Sequence, residues 1–237
     1  MIVQPAPYWP APRLWDGQTV AILAGGPSLT HEQVESVRRA AHVRVIAIND
    51  SYQLAPWADL FWFCDLRWWS WHIDRAAWRD VLDRADAGDA IVATLENREL
   101  HEKFPYVRHL RNSGRDGIEP ARDAIRHGSN GGYQALMVAM KLGAARVLLL
   151  GYDLRIADDG RTHWHAGHPI VSPATVYSNL MVPAYERAAP EIARAGVRVV
   201  NCTPGSALKA FPTQSIEEAL RHDASPGAGP GTAAVPA

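Results

Sequence analysis

The sequence has little cysteine, almost no net charge and no long apolar run. Its two cysteines, Cys64 and Cys202, each close an apolar run, which indicates buried thiols in a reducing compartment rather than a disulfide framework. A formal net charge of −1 gives no reason to expect a nucleic-acid partner. No stretch reaches the roughly 18 consecutive apolar residues of a membrane-spanning helix, so no membrane association is expected.

Residues 1–7 also lack the basic region and apolar core of a secretory signal, which favours a cytoplasmic protein. With 47% hydrophobic and 21% charged residues, the chain has the composition of a soluble globular protein. Residues 1–16 are rich in proline and aromatic residues and predict an irregular arm, whereas residues 223–237 predict a disordered tail of Pro, Gly and Ala. Residues 17–222 are expected to form one domain.

Within that domain, short apolar runs alternate with helical patterns. The apolar runs indicate strands buried on both faces, so the sequence predicts an α/β fold, a Rossmann-like three-layer αβα sandwich with a mostly parallel sheet. Segment 112–128 is polar and contains glycine, which predicts a surface loop. Strands are expected at Val20–Ala24, Val43–Ile48, Leu60–Cys64, Ala90–Thr94, Val147–Leu150 and Val197–Asn201, and helices at Thr30–Ala40, Trp68–Asp86, Asn130–Leu142, Thr175–Ala195 (bent or divided by Pro183 and Pro190) and Ser215–Arg221.

The junction after the first strand is the strongest functional signal. Glycines there let backbone N–H groups approach a ligand, and the start of the following helix favours a phosphate. Thr30 and Gln33 form a capping box that supports a helix beginning at this point. The pattern is neither Gly-x-Gly-x-x-Gly nor a P-loop, and a tight structural turn without a ligand is the alternative. The residues of this junction are Gly25, Gly26, Pro27 and Ser28.

Polar residues or glycines follow the other strands as well. In a parallel sheet the carboxyl ends of the strands lie at one edge, where ligands bind. Asp153 can hold Mg²⁺, a ribose hydroxyl or a reacting hydroxyl, or can serve only as a turn acceptor; Asp65 has the same alternatives. Gly131 and Gly132 begin the helix predicted from Asn130. They could let the backbone bind a second anionic or sugar-like group, or they could allow the helix to pack closely on a strand. The residues concerned are Asn49, Asp65, Asn130, Gly131, Gly132, Asp153, Gly205 and Ser206.

Three histidines stand within six residues, His163, His165 and His168. Histidine titrates near neutral pH, so the cluster is a candidate general acid or base. Imidazole also suits zinc, but the spacing matches no helical zinc motif, so no metal site is predicted; a solvated loop is the third alternative.

Six of the nine tryptophans fall between Trp57 and Trp78. They could stack a base or a sugar ring. The helical spacing of Trp68, Trp71 and Trp78 favours packing in a core or a dimer instead, and an exposed aromatic face would suggest a homo-oligomer.

Taken in order, these motifs resemble the bacterial CMP-sialic-acid-dependent sialyltransferases of the small, Rossmann-like type. They are also similar to the 6-hydroxymethylpterin diphosphokinase-like proteins and their phage or prophage-borne relatives. The resemblance spans about residues 19–211. It rests on Gly26–Leu29, Asn49, Gly131–Gly132, the helix ending in Leu142–Gly143, Gly151–Asp153, His168 and Pro204–Leu208.

The resemblance implies a nucleotide-dependent transferase of glycosyltransferase type. Its partners would be a nucleotide or nucleotide sugar, such as a CMP-sugar, and a hydroxyl acceptor. His168 would be the general base, with His163 and His165 as neighbours. The implied nucleotide contacts are Gly26, Pro27, Ser28, Asn49 and Ser206.

Three other functions stay open on the sequence. The diphosphokinase-like resemblance implies pyrophosphoryl transfer from ATP, with Mg²⁺ held by carboxylates such as Asp65 and Asp153. A non-catalytic binding or assembly protein could keep the same fold. Metal-dependent hydrolysis through the three histidines is the last alternative.

Overall fold

One sheet of parallel strands runs through the residues that the computed structural model describes, 7–169 and 172–223. Its strands are β1 (Thr19–Leu23), β2 (Val43–Ile48), β3 (Leu60–Phe63), β4 (Ile91–Leu95), β5 (Arg108–Asn112), β6 (Ala124–Ile125), β7 (Arg146–Leu150) and β8 (Arg198–Asn201). They pair in the order β6-β5-β4-β3-β2-β1-β7-β8, and each pairing is parallel. The predicted Rossmann-like α/β class is confirmed.

Helices cover both faces of this sheet. They are α1 (His31–Arg39), α2 (Leu66–His72), α3 (Ala76–Asp86), α4 (Gly131–Lys141), α5 (Ala174–Val176), α6 (Val182–Arg194) and α7 (Ile216–Asp223). Alternate strand residues enter two separate cores: Val20 and Ile22 share one with α4 and α6, whereas Ala21 and Leu23 share the other with α1, α2, α3 and α7. Burial on both faces explains why the strands read as unbroken apolar runs.

Helix boundaries follow from local signals in the sequence. The Thr30 hydroxyl accepts from the N–H of Gln33, and the Gln33 side chain accepts from the N–H of Thr30, so the predicted capping box is formed. Val34 and Val37 then fall on the buried side of α1. Gly143, with φ of +100°, follows the end of α4 in the left-handed region that glycine adopts most readily.

Two strands were not predicted, and the surface loop expected over 112–128 is wrong in part. Asn112 ends β5, and β6 lies within the supposed loop, pairing Arg111 with Ala124 and Asn112 with Ile125. Ala124 and Ile125 are fully buried. A strand of two residues between charged neighbours carries no periodicity from which it could be predicted.

Two predicted helices also differ in detail. The segment 68–86 forms α2 and α3 with a break at residues 73–75, because the chain turns there between two packed helices. The segment 174–194 is not divided at either proline; a π-helical turn, Tyr177–Met181, precedes Pro183 instead. Wider turns of this kind relieve the clash of a proline ring with the carbonyl one turn earlier.

The ends of the chain are only partly described. Residues 7–16 contain no helix or strand, yet Ala11 and Trp15 are buried, and the Trp15 N–H donates to the carbonyl oxygen of Leu142. The predicted tail falls outside the described residues except for Asp223, which ends α7. Among the described residues, no helix is both long and apolar enough to cross a membrane.

Candidate functional site

A cleft of about 360 Å³ opens at the carboxyl ends of the central strands. The chain leaves β1 for β2 on one side and later enters β7 on the other, so β1 and β7 flank the switch point at which open α/β sheets bind ligands. The segments that follow the strands and the start of α4 form its walls. Its lining includes these predicted site residues: Gly25, Gly26, Asn49, Asp65, Asn130, Gly131, Gly132, Asp153, His163, His165 and His168.

Gly26 lies so close to Asp153 that a larger residue cannot be accommodated without movement. A Cβ on Gly26 would stand 2.0 Å from Oδ2 of Asp153 and 2.3 Å from the carbonyl oxygen of Gly151. The Ser28 hydroxyl donates to the same Oδ2 over 2.8 Å. Asp153 is only 4% exposed, and burial raises the pKa of its carboxyl group. Asp153 therefore fastens the glycine loop, residues 25–28, to the end of β7.

The histidine loop, residues 162–169, lies against that glycine loop. The Trp164 N–H donates to the carbonyl oxygen of Gly25 over 3.1 Å. A Cβ on Gly25 would lie 3.3 Å from Cδ2 of His163. Segments about 140 residues apart in the sequence therefore meet in one cleft, as the sequence predicts.

The histidine rings are arranged in contact with each other. The rings of His163 and His168 stack with centroids 3.9 Å apart and planes 9° apart, and the ring of His165 lies 5.6 Å from that of His163. Burial, together with the neighbouring His168 and His165, lowers the pKa of His163 to about 4. His163 is therefore uncharged at neutral pH.

Asp50 connects the cleft to α2 and was not predicted as a site residue. Its Oδ1 lies 2.9 Å from Nε2 of His72, and the Trp68 indole donates to its Oδ2 over 3.1 Å. Although burial alone would raise the pKa of Asp50, the hydrogen bonds and charge of these partners lower it to about 2. Nε2 of His165 lies 3.7 Å from Oδ2, so this ring faces a permanent anion beyond hydrogen-bond distance.

Strained backbone surrounds the cleft. Asn49, with φ of +48°, and Leu154, with φ of +48°, both line it, and Ser129, with φ of +62°, immediately precedes α4 and its cap. These are left-handed conformations that residues other than glycine adopt rarely, and they concentrate at functional sites. In this fold they turn the chain sharply out of β2 and β7, which presents the following residues to the cleft.

The two glycines that begin α4 have different surroundings. A Cβ on Gly132 would lie 2.8 Å from the Tyr185 hydroxyl and 2.9 Å from Tyr152, so Gly132 is required by packing. At Gly131 the nearest atom is Cγ2 of Ile48, at 3.4 Å, so this residue tolerates a side chain. The Asn130 side chain caps the helix by accepting from the N–H of Tyr133 and from the Tyr185 hydroxyl. Only Gly131 is thus left to serve close approach of a ligand.

The predicted Mg²⁺ carboxylates are engaged by protein groups. Asp65 caps α2 by accepting from the N–H of Arg67, and it pairs with the guanidinium of Arg67 at 2.9 Å. Asp153 holds Ser28, and Asp50 holds His72. Among residues 7–169 and 172–223, no three His, Cys, Asp or Glu side chains are grouped so that they could hold a metal ion. Asp65 and Asp153, the carboxylates named for the ATP alternative, thus already accept hydrogen bonds from protein groups, and their role toward Mg²⁺ stays a prediction.

Four predicted contacts are not on the cleft wall. Pro27 and Ser28 border a shallower depression next to it, together with Asp153. The Ser206 hydroxyl, in a residue 4% exposed, donates to the carbonyl oxygen of Tyr152. The Gly205 carbonyl accepts from Arg155. The loop that contains Gly205 and Ser206 is therefore hydrogen-bonded to the residues that follow β7, and its contact with a ligand stays a prediction.

Two cleft residues carried no functional signal in the sequence. Arg67 brings a guanidinium group to the mouth of the cleft, next to Asp65. Tyr177, from the π-helical turn, also lines the cleft, and burial raises the pKa of its phenol, so it stays a proton donor at neutral pH. An arginine after an aspartate and a tyrosine in a helix are too common for a sequence pattern to single them out.

Most of the six tryptophans between Trp57 and Trp78 are buried in the core. Trp68, Trp69 and Trp78 are buried and make edge-to-face or stacked contacts with Phe63. The predicted packing in the core is therefore confirmed for Trp68 and Trp78 and is wrong for Trp71, while Trp69 joins the core although its spacing did not predict it. Trp71, by contrast, is 37% exposed.

The fold and site define a Rossmann-like α/β protein with a histidine-walled cleft at its switch point. The chain resembles the solved structure of a MAf glycosyltransferase from Magnetospirillum magneticum AMB-1, with a TM-score of 0.56 and 13% identity over 88% of this chain and 36% of that one. The chain thus spans about a third of that protein's length. At this identity the likeness concerns the fold alone.

A short-chain dehydrogenase/reductase from Brucella ovis is similar over 86% of this chain and 90% of that one, at 16% identity. Its TM-score of 0.33 is too low to support any argument about function. No protein-family model and no curated protein matches the sequence.

Proposed function

We propose that this protein is a nucleotide-dependent transferase of glycosyltransferase type, which moves a sugar from a nucleotide to an acceptor hydroxyl. The observation that carries the proposal is the contact between the histidine loop and the glycine loop, in which the backbone N–H of Trp164 donates to the carbonyl oxygen of Gly25. It places the imidazoles of the histidine loop in the cleft that the glycines at the start of α4 also line. The fold shared with a MAf glycosyltransferase is in keeping with this class.

The donor nucleotide occupies the 360 Å³ cleft in this proposal. Its phosphate lies at the start of α4, where Asn130 caps the N–H of Tyr133 and the amides of Gly131 and Gly132 precede it. A helix of 11 residues supplies partial positive charge at that end. Arg67, paired with Asp65, adds the N–H donors of a guanidinium group at the cleft mouth. A CMP-sugar is the first donor to test, because the ordered motifs resemble CMP-sialic-acid-dependent enzymes.

The chemical step needs one base and one leaving-group donor. The acceptor oxygen forms a bond to the anomeric carbon of the donor sugar while the bond from that carbon to the phosphate oxygen breaks. His168 takes the hydroxyl proton, and the nucleotide leaves with the bonding electron pair. The phenol of Tyr177 donates a hydrogen bond to the phosphate oxygen as negative charge develops on it. No metal ion is required in this step.

The test is binding and turnover with a panel of CMP-, UDP- and GDP-sugars and ATP. We expect one sugar nucleotide to bind below millimolar concentration and to release its nucleotide with EDTA present, since water can replace the acceptor slowly. His168→Ala should abolish release, whereas His42→Ala, an exposed histidine before β2, should not. The absence of submillimolar binding by every sugar nucleotide, or turnover of ATP alone and only with Mg²⁺, would contradict the proposal.

A further inference from the structure

A second cavity adjoins the donor cleft across the histidine loop. It measures about 480 Å³ and shares Asp50, His165 and His168 with that cleft. A group seated in either cavity therefore meets the same imidazoles. The remaining lining consists of Gln53, Trp71, His72, Arg75, Trp164, Ala166, Gly167 and Pro169.

Trp71 provides an apolar platform at this cavity. Within the described ranges it is one of three large hydrophobic residues that are exposed, with Leu14 and Leu180. Its neighbours in α2, Trp68 and Trp69, are packed in the aromatic core, so the exposure of Trp71 is not a general property of this helix. An indole face that is left outside the core can pack against the C–H face of a sugar ring.

Arg75 provides a charge beside that platform. Its Nε donates to the carbonyl oxygen of Trp71 over 3.2 Å, and its side chain also bonds to Tyr52, so the guanidinium group is held against the backbone of α2. The one carboxylate that lines the cavity, Asp50, is already bound by His72, Trp68 and Gln53. The lining is therefore aromatic and cationic, which suits a polyol or an acidic sugar and not a cation.

The wall between the cavities contains polar atoms without partners. The Trp164 indole N–H and Nε2 of His165 are buried and make no hydrogen bond to the described residues. Among the described residues, the polar contacts of the His165 ring are one of 3.3 Å from Nδ1 to the carbonyl oxygen of Ala166 and one of 3.7 Å from Nε2 to Asp50. Unpaired buried groups are costly, and ligand hydroxyl groups are suitable hydrogen-bond partners for an indole N–H and an imidazole nitrogen.

We infer that this second cavity binds the acceptor as a pyranose sugar, with its ring on Trp71 and its hydroxyl or carboxylate groups on Arg75. The inference rests on the proposed transferase function. The reacting hydroxyl then lies at His165 and His168, between the acceptor and the donor cleft. Among sugars, an acidic one makes the stronger bond to Arg75 because the charge-assisted hydrogen bond is bidentate.

Saturation-transfer NMR with the full chain tests this, using methyl β-D-glucopyranoside and methyl β-D-glucuronide as probes. Both should bind, and the glucuronide more tightly. Trp71→Ala should weaken both at least fivefold, whereas Arg75→Gln should weaken mainly the glucuronide. Leu14→Ala, which removes another exposed apolar side chain, serves as the control and should change neither.

Nucleotide binding, measured on the same variants by calorimetry, separates this inference from the proposed function. If every variant still binds the nucleotide and sugar binding depends on Trp71, the result supports both the transferase function and the acceptor site. Nucleotide binding without sugar binding, or sugar binding that Trp71→Ala leaves unchanged, overturns the acceptor site alone. Trp71-dependent sugar binding in a protein that binds no nucleotide overturns the transferase and leaves a sugar-binding cavity.

Discussion

Nε2 of His72 lies 2.9 Å from Oδ1 of Asp50, and Nδ1 of the same ring lies 2.8 Å from the carbonyl oxygen of Trp68. Both ring nitrogens therefore lie within hydrogen-bond distance of an oxygen atom, and Asp50 is anionic at neutral pH. The pair is buried beside the histidine loop, with Asp50 only 7% exposed. Replacing the buried carboxylate removes the acceptor that His72, Trp68 and Gln53 share.

Asp50→Asn is therefore expected to lower the free energy of unfolding at pH 7 by about 3 kcal/mol. The pKa of Asp50 is lowered to about 2, so its stabilisation is complete above the unfolded value near 4 and is lost as the pH falls through 2. That loss amounts to about 2 kcal/mol in the natural protein and is absent from the variant. Urea unfolding of the natural protein and the variant between pH 7 and pH 2 measures the loss of stability and its pH dependence. Asp80→Asn, which changes an exposed carboxylate on α3, is the control. An equal pH dependence in Asp50→Asn and the natural protein would contradict the pairing.

Gly26→Ala is expected to destabilise the fold by roughly 2–3 kcal/mol or more, because the new methyl group overlaps the Asp153 carboxylate and the Gly151 backbone. Neither neighbour can move freely, since one is a backbone carbonyl and the other is held by Ser28. Thermal unfolding followed by circular dichroism is the measurement. The control is Gly131→Ala, whose methyl group would meet its nearest neighbour, Ile48, at 3.4 Å and should leave the melting temperature almost unchanged.

The same Gly131→Ala variant tests the donor cleft. Its methyl group would stand at the start of α4, where the phosphate of the nucleotide is proposed to lie. We expect the affinity for the nucleotide to fall about tenfold, or roughly 1.4 kcal/mol, with stability retained. Calorimetry at constant salt gives the result, and an unchanged dissociation constant would remove the phosphate from this helix end.

Tyr177→Phe tests the leaving-group donor. Burial raises the pKa of this phenol, so its proton is available throughout the neutral range, and the phenylalanine variant loses only the hydroxyl group. We expect kcat to fall on the order of 100-fold with little change in nucleotide affinity, because the bond strengthens as charge develops. Tyr106→Phe, outside the cleft, is the matched control. A change in affinity with an unaltered kcat would assign Tyr177 to binding alone.

The sequence was informative where local chemistry decides the structure. The capping box of Thr30 and Gln33, the apolar runs of β1 and β7, and the stop at Gly143 each depend on neighbouring residues, and all appear as predicted. Strands β5 and β6 could not be predicted, because Arg108–Asn112 carries charges and Ala124–Ile125 is too short for a pattern. Their burial comes from distant packing.

The candidate site divides in the same way. Glycine and histidine clusters stand out in a sequence, and the structure brings them into one cleft. Asp50 gave no signal, since its importance comes from His72 and Trp68, about twenty residues away on another helix. The motif of Ser206 predicts a ligand contact, whereas in the structure its hydroxyl bonds to the carbonyl oxygen of Tyr152. Whether a polar side chain faces a ligand or the backbone is decided by tertiary geometry.

The π-helical turn before Pro183 holds one residue more than a regular α-helix would need. Deleting one residue of that turn, such as Asn179, would let an ordinary α-helix form. Because the wide turn absorbs its extra residue locally, the segment before it would keep its orientation relative to α6, whereas a residue added to or removed from a regular α-helix rotates the preceding segment by about 100°. A one-residue deletion in this turn should therefore disturb the position of Tyr177 less than a one-residue deletion within α6.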